Sequence, residues 1–230
     1  MGDLLTTTAI LCLVCLVYVY VGYPALCVIA GSLRRRVVRS AQGTPRITVL
    51  ISAYNEAHCI EATVRNKLEQ DYPQDLLDVI VVSDESDDGT DQVVGALVDE
   101  FPGRVTLIRQ EPRAGKTSAL NLASTRAAGE ILVFSDANSL YGSGALLSLV
   151  EPFADPDVGY VTGRMVYRAP DGSLTGEGCS AYMAYENKLR VLATDCVPAV
   201  GVAGSTDAAR PAHPVGSRPR HQPSSVLPAP

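Results

Sequence analysis

A chain of 230 residues has room for one ordinary domain plus additional segments, and its net charge of −6 excludes the basic footprint that nucleic-acid binding requires. Apolar residues make up 47% and aromatics 6%, with no tryptophan, which points to an α/β core of Val, Leu, Ala and Ile. The cysteines give neither a disulfide framework nor a metal cluster, since Cys12, Cys15 and Cys27 fall in one apolar run while Cys59, Cys179 and Cys196 are scattered.

From Leu4 to Leu33 no charged residue occurs. A helix needs roughly 20 apolar residues to cross the hydrocarbon core of a bilayer, and this run exceeds that. The acidic start Met1-Gly2-Asp3 and the length of the run argue against a cleaved signal peptide. Gly22 and Pro24 are positions at which such a span can kink. Arg34, Arg35, Arg36 and Arg39 follow at once, and the positive-inside rule places them, with everything after them, in the cytoplasm. Residues 1–33 therefore read as a single transmembrane anchor in the lipid bilayer, and 34–45 as a basic linker.

The next apolar run, Ile47–Tyr54, has strand length, and Asn55-Glu56 ends it. Ile60, Val64 and Leu68 recur at helical spacing until Tyr72-Pro73. "DVIVVSDES" at 78–86 predicts a second strand that closes on an acidic turn. Val94, Leu97, Val98 and Phe101 mark a second helix, stopped by Pro102-Gly103. "RVTLIRQ" predicts a third strand. "GKTSALNLASTRAAG" predicts a third helix, with Gly129 in the C′ position that helices favour. "EILVFSDA" predicts a fourth strand, and 158–167 a fifth. Strands alternating with helices at this spacing predict crossover units and a mostly parallel sheet covered on both faces. Ligands bind such sheets beyond the carboxyl ends of their strands. Three polar clusters stand at those ends: Tyr54 to Glu56, Asp84 to Thr90, and Asp136 to Asn138.

Several chemistries fail on these residues. Dinucleotide binding wants G-x-G-x-x-G after a strand, and the first strand is followed by "NEAHC". A P-loop needs a glycine where Gln110 stands, so Gly115-Lys116-Thr117 is no Walker motif; Lys116, at a helix start, faces either phosphate or solvent. G-x-S-x-G is absent, and His58, alone in the folded part, reads as a surface residue. Asp136, ending a buried strand, costs energy unless something pairs with it, although Asp and Asn are also ordinary turn residues.

"ISAYNEAHCIEATVRNKLEQDYP", "VIVVSDESDDGT", "RAGKTSALNLASTRAAGEILVFSDANS" and "GRMVY", in order from Arg46 to Gly204, resemble glycosyltransferase family 2, in its membrane-anchored cellulose-, chitin- and hyaluronan-synthase-like branch. The resemblance implies the GT-A fold, a Rossmann-like, mostly parallel sheet flanked by helices, over residues 46–207. It further implies a nucleotide-sugar donor, read through uridine in UDP-sugars, and transfer to a glycan acceptor by an inverting displacement. By resemblance, Tyr54 and Glu56 lie against the nucleoside, Asp84 hydrogen-bonds the base, and Asp88 belongs to the same pocket. Lys116 and Asn121 border the diphosphate and ribose. Asp136 opens the D-x-D motif that holds a divalent ion, Mg²⁺ or Mn²⁺. Asn138, in place of the second acid, offers a carbonyl oxygen without charge.

The resemblance also implies a catalytic aspartate and a Q-x-x-R-W acceptor motif further on, and neither follows. Residues 208–230 are proline-rich and predict disorder. The pattern stops after Gly204 as though a domain were cut short, so transfer by this chain is expected to be weak. No general base is assigned; Asp195 and Asp207 read as surface carboxylates. Beside the transferase, two readings stay open: a non-catalytic, membrane-tethered nucleotide-sugar-binding module paired with a complete synthase, and a non-functional frameshifted fragment.

Overall fold

The computed structural model describes residues 2–34, 43–163, 185 and 206–211. These fall into two units, the N-terminal helices with Tyr185 and the sheet domain.

In the first unit, α1 (Gly2–Val17) runs through a π-helical turn (Tyr18–Gly22) into α2 (Tyr23–Arg34). The stretch Asp3–Ala30 is long and apolar enough to cross a membrane, and Leu4, Ile10, Val14 and Ile29 are exposed along it. The irregular turn has a local cause. Pro24 has no N–H for the Tyr20 carbonyl four residues earlier, and that carbonyl accepts the Tyr185 hydroxyl at 3.1 Å.

The sheet domain holds six strands: β1 (Ile47–Ala53), β2 (Leu77–Asp84), β3 (Val105–Gln110), β4 (Ile131–Asp136), β5 (Tyr160–Thr162) and β6 (Thr206–Ala209). Their order is β3-β2-β1-β4-β6-β5. The first four are parallel, and β6 runs antiparallel to both β4 and β5. The helices are α3 (Ile60–Leu68), α4 (Thr90–Glu100), α5 (Gly115–Ser124) and α6 (Ala145–Val150). Strands β1, β2 and β4 read as unbroken apolar runs because both faces are covered. One face carries Ile47, Val49, Ile51 and Val133 against Ile60, Val64 and Leu146, and the other carries Leu50, Ile80 and Leu132 against Ala119 and Ala123.

Several sequence expectations need correction. The third helix ends at Ser124, five residues before Gly129. Gly129 is instead a point of close approach: a Cβ there would lie 2.5 Å from the Thr48 amide nitrogen on β1. Of the expected fifth strand, Tyr160–Thr162 is a strand, and 164–167 lie outside the described residues. Ala208 and Ala209, assigned to the disordered tail, belong to β6. Asp207, expected at the surface, is fully buried in that strand and accepts the Thr162 hydroxyl at 2.7 Å. Asp195 lies outside the described residues.

Candidate active site

The carboxyl ends of β1, β2 and β4 meet in register, Ser52 pairing with both Val82 and Asp136. Beyond them opens a cavity of about 320 Å³. Its walls include six of the residues singled out from sequence: Tyr54, Glu56, Asp84, Lys116, Asp136 and Asn138. Asp88 and Asn121 are not among them.

The chain leaves β1 and β2 through two left-handed residues, Asn55 (φ 56°) and Glu85 (φ 61°). Asn is one of the few non-glycine residues that tolerate this region, whereas Glu sits there at a cost. The surroundings hold both. Asn55 Oδ1 accepts the Asp87 amide at 3.0 Å while its Nδ2 donates to Asp87 Oδ1 at 2.8 Å. Glu85 accepts the Arg113 amide at 2.7 Å.

Asp88 ties the same two loops from outside the cavity. Its Oδ2 accepts the Ala57 amide at 3.0 Å and its Oδ1 accepts the Thr90 amide at 3.0 Å, at the start of α4. The Thr90 hydroxyl and these amides hold the Asp88 carboxyl below the usual carboxylate range. Gly89, at φ 100°, turns the chain into α4 as no side-chain-bearing residue does readily. Asn121 is exposed on α5.

Asp84 is buried and heavily bonded. Oδ1 accepts Gln110 Nε2 at 2.5 Å and the Ala114 amide at 2.9 Å, while Oδ2 accepts the Gly115 amide at 2.8 Å. Burial pushes its carboxyl up, but the Ala114 amide, Gln110, the Gly115 amide and the Arg113 guanidinium more than offset this and hold it below the usual range. The carboxylate therefore caps the N-terminus of α5, where helix amides point outward.

Arg113 was missed in the sequence. Its guanidinium lies 3.5 Å from the centroid of the Tyr54 ring, and its Nε is 3.9 Å from Asp84 Oδ2. The signal was a cation in "EPRAGKT", two residues before the start of α5, whose first residues line the cavity. A stacked Tyr and guanidinium form a flat platform of the kind on which a base rests.

Also on the cavity wall, Lys116 Nζ pairs with Asp136 Oδ1 at 2.5 Å. Asp136 and Asn138 present hard oxygen donors, which suit a hard cation such as Mg²⁺ or Mn²⁺ whose shell is completed by phosphate and water. The donor set fits, with a single negative charge. The loop behind it is anchored by Lys67, fully buried on α3, which donates to the Ser139 carbonyl and to Asn66 Oδ1 at 3.3 Å and lies 3.5 Å from the Tyr141 ring centroid. Asn66 in turn accepts the Tyr141 amide at 2.7 Å.

Glu56, His58 and Cys59 form a second group of ligand-type atoms, all within 4.8 Å of one another. Cys59 donates to Glu56 Oε2 at 3.1 Å. Burial, then this carboxylate, pushes its thiol up to about 12, so it is protonated near neutral pH. His58 is exposed.

Comparison with known proteins agrees with this architecture. The mannosyltransferase PcManGT from Pyrobaculum calidifontis, solved in complex with GDP-Man and Mn²⁺, superposes with a TM-score of 0.65 at 32% identity, covering 86% of this chain and 55% of its own. The probable glycosyltransferase YdaM of Bacillus subtilis (strain 168) is 32% identical over 123 residues, 52% of this chain and 29% of the relative. The β-monoglucosyldiacylglycerol synthase of Trichormus variabilis is 31% identical over 133 residues, 56% and 28% respectively. The chain thus spans under a third of the length of these two curated relatives. Its sheet is of the GT-A type. The profile of glycosyl transferase family 2 matches residues 48–199, and the chain belongs to that family.

Proposed function

We propose that the chain is a membrane-anchored glycosyltransferase that binds a UDP-sugar with a divalent metal and transfers the sugar to a glycan acceptor at the cytoplasmic membrane surface. The observation that carries this reading is the convergence of Tyr54, Arg113, Asp84, Lys116 and Asp136 on one cavity at the carboxyl edge of the sheet. The groups on that cavity match a nucleotide: a flat cation–aromatic platform and a buried acid suit the base, and an ammonium beside a partly exposed acid suits the diphosphate and its metal.

Asp84 favours a base that offers it one N–H. A carboxylate has about four lone-pair sites, and three are taken by Gln110, Ala114 and Gly115. One remains, which suits the single imide N–H of uracil better than the paired N–H donors of guanine. PcManGT, solved with GDP-Man, makes guanine the base to compete against it.

Asp136 and Asn138 would hold the metal, which supplies positive charge to the departing diphosphate. Lys116 adds a second positive charge beside Asp136. Tyr54 and Arg113 orient the nucleoside, so that the sugar projects past Asp136. No residue is assigned as the base that takes the acceptor proton. The anchor is Asp3–Ala30, with the arginines after it on the cytoplasmic side.

Membranes from a host expressing the chain, incubated with radiolabelled UDP-sugars or GDP-mannose, test this reading. Label should enter a polymeric fraction from a UDP-sugar and fall to background in Asp136→Ala. Label in the lipid-extractable fraction would replace the glycan acceptor by a lipid. Donor binding without incorporation would favour the non-catalytic binding module.

A further inference from the structure

We propose that Lys116 is a built-in counter-cation that competes with the divalent ion for Asp136 and moves to the diphosphate when the donor enters, making metal and diphosphate binding mutually dependent. This rests on the donor-site reading above.

The observations are local and specific. Lys116 Nζ sits 2.5 Å from Asp136 Oδ1, the carboxylate of the expected metal motif. Asn138 adds no charge to that carboxylate, so the pair of Lys116 and Asp136 is neutral. The other acids on the cavity wall are engaged, Asp84 with the start of α5 and Glu56 with Cys59. A divalent ion arriving alone therefore finds the charge of Asp136 already balanced and must displace an ammonium. A diphosphate arriving alone meets an ammonium already committed to a carboxylate. Arriving together, they exchange partners: ion to Asp136, ammonium to phosphate oxygen, every charge paired.

The geometry allows the exchange at little cost. Lys116 and Asp136 side chains are 49% and 34% exposed, and half-exposed pairs of this kind hold weakly. Lysine carries its charge on a flexible four-carbon stem with rotatable donors, unlike the planar arginine fork. Lys116 lies in the first turn of α5, where the helix N-terminus also favours anions, so the ammonium needs only to swing toward a group the backbone already attracts. Reciprocity of linkage then requires that metal raise diphosphate affinity by the same factor that diphosphate raises metal affinity.

The test counts free Mn²⁺ by its hydrated-ion electron paramagnetic resonance signal, using the full-length chain in detergent, alone and with UDP or GDP. Wild type should bind Mn²⁺ weakly alone and more tightly with a nucleoside diphosphate. Lys116→Met should tighten Mn²⁺ in the absence of nucleotide by about two- to ten-fold, by removing the competing charge. The same variant should weaken diphosphate binding and shrink the coupling. Lys116→Arg, keeping the charge, should keep the antagonism, and Asp136→Asn should lose the metal in either background. Mn²⁺ affinity that is unchanged or weaker in Lys116→Met would overturn the competition while leaving the donor site intact. Failure of wild type to bind Mn²⁺ with either nucleotide would overturn the donor-site reading itself.

Discussion

Asp84 illustrates how one carboxylate serves fold and site together. It satisfies two amides at the start of α5 and holds Gln110, all before any ligand arrives. Asp84→Ala should therefore destabilise the ligand-free domain by about 1–3 kcal/mol, because buried donors lose their acceptor. Denaturant unfolding followed by circular dichroism measures it; a neutral result would assign Asp84 to ligand binding alone. Its depressed carboxyl also fixes a pH window. The stabilisation is complete above the ordinary carboxylate range and is lost as acid brings the pH down through the lower folded value. Lys67 works in the opposite window. Burial pushes its ammonium down from 10.5 to about 7. Between those values the unfolded chain binds more protons than the folded one, so stability should rise with pH from about 7 toward 10.5. The slope for this one proton is at most about 1.4 kcal/mol per pH unit. Unfolding at pH 7 and 9.5 should show that rise in wild type and lose it in Lys67→Met; an equal rise in the variant would mean that another group titrates. Of these residues, Asp84 and Asp136 were legible because charge at the end of an apolar run is conspicuous, and Lys116 because it stands at a helix start. Arg113 was not, since its role comes from stacking on Tyr54, which is 59 positions earlier in the chain. The partners that hold Asp88 outside the cavity were equally invisible, because Ala57 contributes only a backbone amide.

At the level of elements, β1, β2 and β4 announce themselves because both of their faces are buried and the sequence becomes continuously apolar. Neither α6 nor β6 leaves such a trace. α6 is six residues, too few for a helical period to show. β6 is Thr-Asp-Ala-Ala, with one β-branched residue and no aromatic, and owes its state to being hydrogen-bonded between β4 and β5. Tertiary pairing decided what local propensity did not. Gly129 was misread for a related reason: its place in the sequence suits a helix cap, but its use depends on the distance to β1. Gly129→Ala should cost about 1–3 kcal/mol, as overpacking against backbone does. The same unfolding measurement tests it, and a change below a few tenths of a kcal/mol would mean that β1 and the turn before β4 separate easily.

For the whole molecule, an apolar N-terminal helix and a GT-A sheet domain share one chain, and the proposed reading places the domain at the cytoplasmic face. Protease added to intact cells should spare the sheet domain, and protease added to inverted vesicles should digest it; digestion in intact cells would reverse the orientation. The family follows from four motifs in order along the chain, and for that reason it was legible before any coordinates. The donor's base was less so, because the number of free lone pairs on Asp84 depends on Gln110, Ala114 and Gly115 folding around it. Titration calorimetry on the full-length chain, with UDP or GDP added in the presence of Mn²⁺, addresses the donor site directly. Saturable binding of UDP, tighter than GDP and weakened when Asp136→Ala removes the metal-dependent part, is the expected outcome. No saturable binding of either nucleotide, or binding indifferent to Asp136, would contradict a donor site at this edge of the sheet.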